Sequence, residues 1–238
     1  MAESYSVEAI LSATDKNMSS TFKKALGVCN SFGSQVKSIV AGVGVTKALG
    51  AAMNTVTTSL DGAITRFDTL HSYPKVMNSL GFSTDLAKSS VSKLNASVQG
   101  LPTSLADIVK SAQSLTSVTG NMDKATDTAI ALNHALLASS ASTEDVSRAQ
   151  QQYSQMLAVG KPDMQSWRTL QETMAPALTK TAKKLGIASG NTTELYNAMK
   201  NGQITFDQFN AALIECDTEV GGFAAVSYTH LRAHETRH

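Results

Sequence analysis

Charge, aromatic surface, cysteine and long apolar runs are all scarce in this chain of 238 residues. Charged side chains make up 16% and the formal net charge is +1. That balance excludes a nucleic-acid binder working by bulk positive charge, and it excludes a chain held open by self-repulsion. Aromatic residues are 5% of the total, with a single Trp. There are two cysteines, Cys29 and Cys216. Without a second pair they build neither a disulfide framework nor a zinc module, and both read as buried thiols in a reducing cell. Glu3, Glu8 and Asp15 stand where an export signal would have a basic start and an unbroken apolar run. The most apolar stretch, Ile39 to Met53, is broken by Lys47, Gly42, Gly44 and Gly50. It falls short of the roughly 20 residues that span a bilayer.

What the chain has in abundance is Ser and Thr, about a fifth of all residues, and a repeated helix grammar. Its length admits one large or two modest domains, and a globule of this size buries roughly 70% of its unfolded surface. Tyr5, Val7, Ala9 and Leu11 alternate with Ser6, Glu8, Ile10 and Ser12, which suits one short strand. Phe22, Leu26, Cys29, Phe32, Val36 and Ile39 recur at three- and four-residue steps, one stripe of a longer helix. The Ala- and Gly-rich segment Val45 to Leu60 is expected either to pack closely on another helix or to stay loosely ordered.

After Gly62 short helical patterns alternate with glycines, each with its own start and stop chemistry. Ser83 precedes Leu86, Val91, Leu94 and Val98, ending at Gly100. Ser104 with Asp107 has a capping-box pattern ahead of Leu105, Ile108, Leu115 and Val118, ending at Gly120. Ser142 and Asp145 open Val146, Ala149, Tyr153 and Met156 up to Gly160, and Asp163 opens Met164, Trp167, Leu170 and Met174. Pro176 is expected to bend or restart that last helix. Asn191 with Glu194, and Thr205 with Gln208, open two more. The patterns predict an all-α fold: a compact domain of short helices at 63–225, preceded at 1–62 by a strand, a longer helix and the Ala/Gly-rich segment.

Residues 226–238 differ in kind, holding His230, His234 and His238 where the rest of the chain has only His71 and His134. Val226 to Thr236 back-translates into a transposase-adapter sequence used in preparing sequencing libraries. The expectation is therefore a non-native tail that packs against nothing specific, with the natural chain continuing past Ala225. Without that tail the acidic and basic side chains balance. A metal site at the three histidines has the helical spacing for chelation, but an adapter has no reason to chelate.

Each constellation that invites chemistry lacks a required residue. GVGVTKALG, Gly42 to Gly50, has no second glycine before Lys47 and no hydroxyl after it, so it is not a phosphate loop. NAMKNGQITFDQF has the turn glycine of a calcium loop, Gly202, but Asn197, Met199 and Gln208 stand where ligands belong. Asp68 and His71 are a base and orienting acid by type, with no nucleophile in a glycine turn nearby. Glu172, Glu194 and Glu215 read as solvent-facing, and Lys180, Lys183 and Lys184 as a solvated helix end. No catalytic residue, cofactor-binding residue or metal ligand is assigned, and a non-enzyme is expected. Trp167, Met164 and Arg168 are types that anchor interfaces, although Met164, Trp167, Leu170 and Met174 also share the face a helix must bury. The candidate interaction surface is Tyr73, Pro74, Met164, Trp167 and Arg168.

From Arg66 onward the blocks RFDTLHSYPKVM, QGLPTSLADIV, ATDTAIALNHALLASSAS, QMLAVGKPDMQSWRTLQETM and NGQITFDQFNAAL, with GGFA at Gly221 to Ala224, form a recognisable set. Through them the chain resembles the amino-terminal domain of phage and prophage tail tape measure proteins; SVEAILSATDKNMSSTFKKA is similar more loosely. The resemblance implies a largely helical tail protein that sets tail-tube length during assembly and takes part in genome delivery. Its partners would be tail tube, tail tip and tail assembly chaperone proteins, with self-association, no specific nucleic acid, and membrane contact only at genome delivery. Its location would be the host cytoplasm during assembly and then the interior of the virion tail. No catalytic residue and no cofactor transfers. A ruler needs long uninterrupted helix at about 1.5 Å per residue, so this glycine-punctuated part is expected to be a compact end domain, with the ruler beyond Ala225. The alternatives are a membrane-active helical protein that inserts Ile39 to Met53, or a non-catalytic part of a larger tail-associated wall-degrading enzyme.

Overall fold

The computed structural model describes residues 46–228, together with Lys24 and Gly27. The expected strand at Tyr5 to Leu11, the apolar stripe from Phe22 to Ile39, and Cys29 lie outside the described residues. The chain divides into two compact units, Met1–His71 and Ser72–His238. Among the described residues the regular structure is helical throughout, as the all-α expectation has it, and no helix is long and apolar enough to cross a membrane.

Helix α1, Thr46–Ser79, is 34 residues long. The Ala/Gly-rich segment is thus neither a loop nor a separate short helix, and α1 continues through Gly62, where the sequence suggests a break. A helical glycine costs only about 1 kcal/mol, which a helix of nine turns absorbs. In the first unit the ring of His71 lies on that of Phe67, with centroids 4.3 Å apart.

In the second unit seven further helices follow: α2 Thr84–Ser97, α3 Leu105–Thr119, α4 Met122–Ala138, α5 Thr143–Val159, α6 Met164–Lys184, α7 Thr192–Lys200 and α8 Phe206–Thr218. A helical turn at 223–228 ends the described chain. The start signals act as read from the sequence. Ser83, Ser104, Ser142, Asp163, Asn191 and Thr205 each accept the backbone N–H two or three residues on, satisfying donors that the first turn leaves free. Only Thr205 forms the reciprocal box, in which Gln208 accepts the Thr205 N–H at 2.8 Å. At Ser104 the side chain instead donates to Asp107 at 2.6 Å, so the Asp side chain engages the hydroxyl and not the backbone. Gly120 and Gly160 close α3 and α5 with φ of 65° and 71°, a left-handed conformation open to glycine without strain. Pro176 does interrupt its helix: Met174 has φ −142° and ψ 37°, because the ring removes an N–H and crowds the preceding turn.

The centre of the bundle is α4, which packs against α2, α3, α5, α6 and α8. Ala125, Ala129, Ala131 and Ala135 are all buried, as are Leu132 and Leu136. No apolar stripe in the sequence marks its course between Gly120 and Ser142. The reason is physical: a helix surrounded on all sides buries small residues around its circumference and shows no single apolar stripe.

Candidate functional site

The five residues of the expected surface separate into core and exterior. Tyr73 and Trp167 are each 1% exposed, so neither meets a partner while the domain is folded. Met164 is 44% exposed and Arg168, one turn on, is also exposed; Pro74 is half-buried within α1. Met164 thus leaves the buried face that Trp167, Leu170 and Met174 occupy.

Trp167 belongs to an aromatic cluster that joins four helices. Its ring centroid lies 5.9 Å from that of Tyr196 on α7 and 5.8 Å from that of Phe209 on α8, while Tyr153 on α5 meets Phe206 at 5.3 Å. Such offset pairs add about 0.5–1.5 kcal/mol each beyond the area they bury. Tyr153, Trp167, Tyr196, Phe206 and Phe209 thus meet where α5, α6, α7 and α8 converge. The Trp167 indole N–H has no partner there.

Three polar rungs tie α8 to α4 in one register, and their order makes the two helices run in the same direction. Lys124 pairs with Asp207 at 2.6 Å at the exposed end. In the interior Asn210 Nδ2 donates to Thr128 Oγ1 at 2.9 Å and Asn210 Oδ1 accepts from Tyr153 Oη at 2.6 Å. Further along, His134 Nδ1 lies 2.9 and 3.1 Å from the two carboxylate oxygens of Asp217, and Nε2 lies 3.2 Å from the Ser97 carbonyl at the end of α2. Burial pushes the Tyr153 hydroxyl far above the usual tyrosine range, with the Asp207 carboxylate adding to it. Tyr73 is raised in the same way, partly offset by its hydrogen bonds with Ser90 and Thr126.

The buried His–Asp pair is therefore His134 with Asp217, and not His71 with Asp68. It has no nucleophile to activate, because Nε2 faces a backbone carbonyl and Ser97 Oγ donates to Leu94 O at 2.9 Å. Its members are 83 residues apart, a separation no local pattern reveals. Among the described residues no cluster of His, Cys, Asp and Glu could hold a metal ion.

The lysines at the end of α6 are solvent-facing at Lys183 and Lys184 as expected, and Lys180 and Lys184 also have acidic partners. Lys180 reaches Glu219 at 2.9 Å and the Gly221 carbonyl at 3.0 Å, and Lys184 reaches Glu215 and Glu219 at 3.4 Å each. These bonds, led by the one from Lys180, hold the Glu219 carboxyl below its ordinary range. Glu172, Glu194 and Glu215 are exposed as expected. Between α3 and α5 runs a groove of about 580 Å³, lined by Ser111, Ser114, Ser147, Gln151, Ser154 and Gln155, with Ser114 and Ser154 hydrogen-bonded across it at 3.2 Å.

At the end of the described chain, the expectation of a tail free of specific contacts does not hold for its first residues. Ser227 is buried, and Tyr228 donates to the Ser97 carbonyl at 3.1 Å with its ring 6.0 Å from His134. The helical turn begun at Phe223 simply carries these residues over the end of α2; residues 229–238 lie outside the described residues.

A family model described as "Tape measure protein" matches residues 61–230. No curated protein and no solved structure matches the chain.

Proposed function

Because the chain belongs to the tape measure protein family, a family of phage tail structural proteins, we propose that residues 63–225 form the end domain of a tail ruler. In this reading the protein sets tail-tube length during assembly and takes part in genome delivery, and this domain anchors it to other tail proteins. The observation that carries the reading is the family match across the whole bundle, joined to the shape of its parts. Helices α2 to α8 are 9 to 21 residues long, and at about 1.5 Å per residue none measures more than a small fraction of a tail. Length is set by sequence outside the bundle, while the bundle docks through helical surfaces. Met164 and Arg168 supply an exposed face of α6 for tube, tip or chaperone proteins, and Trp167 supports that helix from inside.

Tail length in the assembled phage tests the assignment. Deleting or duplicating helical sequence outside residues 63–225 in the complete gene should change tail length in electron micrographs by about 1.5 Å per residue. Substituting Met164 and Arg168 should lower the yield of assembled tails and leave their length alone. Tails of constant length in the first experiment would refute the ruler.

A further inference from the structure

Lys180, near the end of α6, directs its ammonium at the chain that follows α8. An ammonium has three N–H donors and no acceptor. Lys180 Nζ reaches the Glu219 carboxylate at 2.9 Å and the Gly221 carbonyl at 3.0 Å, and it lies 5.5 Å from the centre of the Phe223 ring, a cation–π distance. Residues 219, 221 and 223 thus converge on one side chain of another helix. Lys184 adds a second hold, pairing with Glu215 on α8 and with the other oxygen of Glu219, each at 3.4 Å. The Glu219 carboxylate therefore has one lysine on each oxygen. Lys180 and then Lys184 keep that carboxyl below its ordinary range, and Glu215 with Glu219 keeps the Lys184 ammonium above its own, so both sides stay charged near neutral pH.

The backbone of this segment turns sharply. The Gly222 N–H donates to the Glu219 carbonyl at 2.8 Å, closing a tight turn whose third residue, Gly221, has φ of 69°, as a glycine there allows. Val220, at the tip, is fully exposed. Between Glu219 and Ala225, Phe223 is the one large side chain that is buried, whereas α8 buries Phe206, Phe209, Leu213 and Cys216. The side chains of Lys180, Glu219 and Lys184 are 34%, 35% and 37% exposed, where solvent weakens ion pairs. Lifting the segment uncovers one ring and a partly solvated charge cluster, while lifting α8 uncovers a core, so the two openings differ widely in cost. The contacts of Lys180 all lie before Val226 and do not depend on the residues after Ala225.

We propose that the chain from Glu219 onward is a strap that opens as one unit from an intact bundle, with Lys180 as its clasp. Closed, it fixes the direction in which the chain leaves α8; open, that chain swings at Gly221 while α2 to α8 stay folded.

Amide hydrogen exchange in the full chain, read by NMR at single residues and corrected for intrinsic rates, tests the strap. The reporters are the N–H groups of Gly222, bonded to the Glu219 carbonyl, and of Val226, bonded to the Gly222 carbonyl at 3.1 Å. They should share one protection, on the order of a hundredfold or more below that of Leu213 in α8. Lys180→Met, which keeps the apolar stem and removes the ammonium, should lower both on the order of tenfold, the scale of charge-assisted hydrogen bonds at a partly exposed site, and leave Leu213 unchanged. Glu219→Gln should act in the same direction, and the double variant should fall short of the product of the two effects. Tyr228→Phe, which removes the bond to the Ser97 carbonyl at the far end, should affect Gly222 less than Lys180→Met does. Gly222 protected as strongly as Leu213 overturns the proposal, as does a graded loss in which Val226 exchanges far ahead of Gly222, or protection that ignores Lys180→Met. Should Lys180→Met fail to fold, Glu219→Gln decides by the same comparison.

Discussion

Breaking the Tyr153–Asn210 bond from one side, from the other and from both should give losses that do not add. Tyr153 and Asn210 are both fully buried, and the bond between them is 2.6 Å long. Tyr153→Phe leaves Asn210 Oδ1 without a donor, at about 1–2 kcal/mol. Asn210→Leu keeps the volume but leaves the Tyr153 hydroxyl without an acceptor, at about 1–3 kcal/mol. The second change also takes a donor from Thr128, which matters less because Thr128 Oγ1 still bonds to the Lys124 carbonyl through its own hydrogen. In the double variant nothing unpaired remains, so it should be more stable than the sum of the single losses predicts by about 1–2 kcal/mol. Urea denaturation followed by far-ultraviolet circular dichroism reads this directly. With a slope of about 2 kcal/mol per molar urea, a single change of about 2 kcal/mol moves the midpoint by about 1 M. Additivity of the two single losses to within about 0.5 kcal/mol would show that the bond contributes nothing specific, and the reasoning from buried polar satisfaction would fail.

Stability should fall as pH rises past about 10, where an unfolded tyrosine releases a proton that folded Tyr153 retains; Tyr153→Phe should make that fall shallower in alkaline thermal melts without abolishing it, since Tyr73 is raised too. Gly222→Ala should cost about 2 kcal/mol or more, because a methyl there collides with the carbonyl oxygens of Asp217, Cys216 and Glu219, which are backbone and cannot swing aside. Gly62→Ala, on an exposed helical position with open space around it, should instead stabilise α1 by about 0.5–1 kcal/mol, and thermal midpoints of the two variants will rank them. Trp167→Ala should cost about 3–5 kcal/mol in denaturant melts, while Arg168→Ala stays within about 0.5 kcal/mol of wild type; equal losses would mean that the Trp167 core and the Arg168 surface are wrongly distinguished.

The division between core and surface on α6 shows what a local pattern can and cannot carry. Periodicity puts Met164, Trp167, Leu170 and Met174 on one stripe, and three of the four are buried. Met164 is exposed, because burial requires a neighbouring element and periodicity cannot say where one lies. The lysines at the other end of α6 make the same point in reverse. Their sequence reads as a solvated terminus and shows nothing of Glu215 on α8 and Glu219 just after it, which stand opposite Lys180 and Lys184, brought there by a fold that no local window contains.

Sequence by itself determined the all-α class, six helix starts, the glycine stops and the kink at Pro176, because caps, left-handed turns and proline act within four residues of chain. It also carried the family, through blocks such as RFDTLHSYPKVM and QMLAVGKPDMQSWRTLQETM that fall within the matched residues 61–230. Only the tertiary structure decided that α4 is the central helix, that Tyr73 and Trp167 are core, and that His134 meets Asp217 and not a nearer acid. Those outcomes depend on which helices lie side by side, and contacts between residues some 83 positions apart are set by the packing of whole elements, for which short-range spacing holds no information.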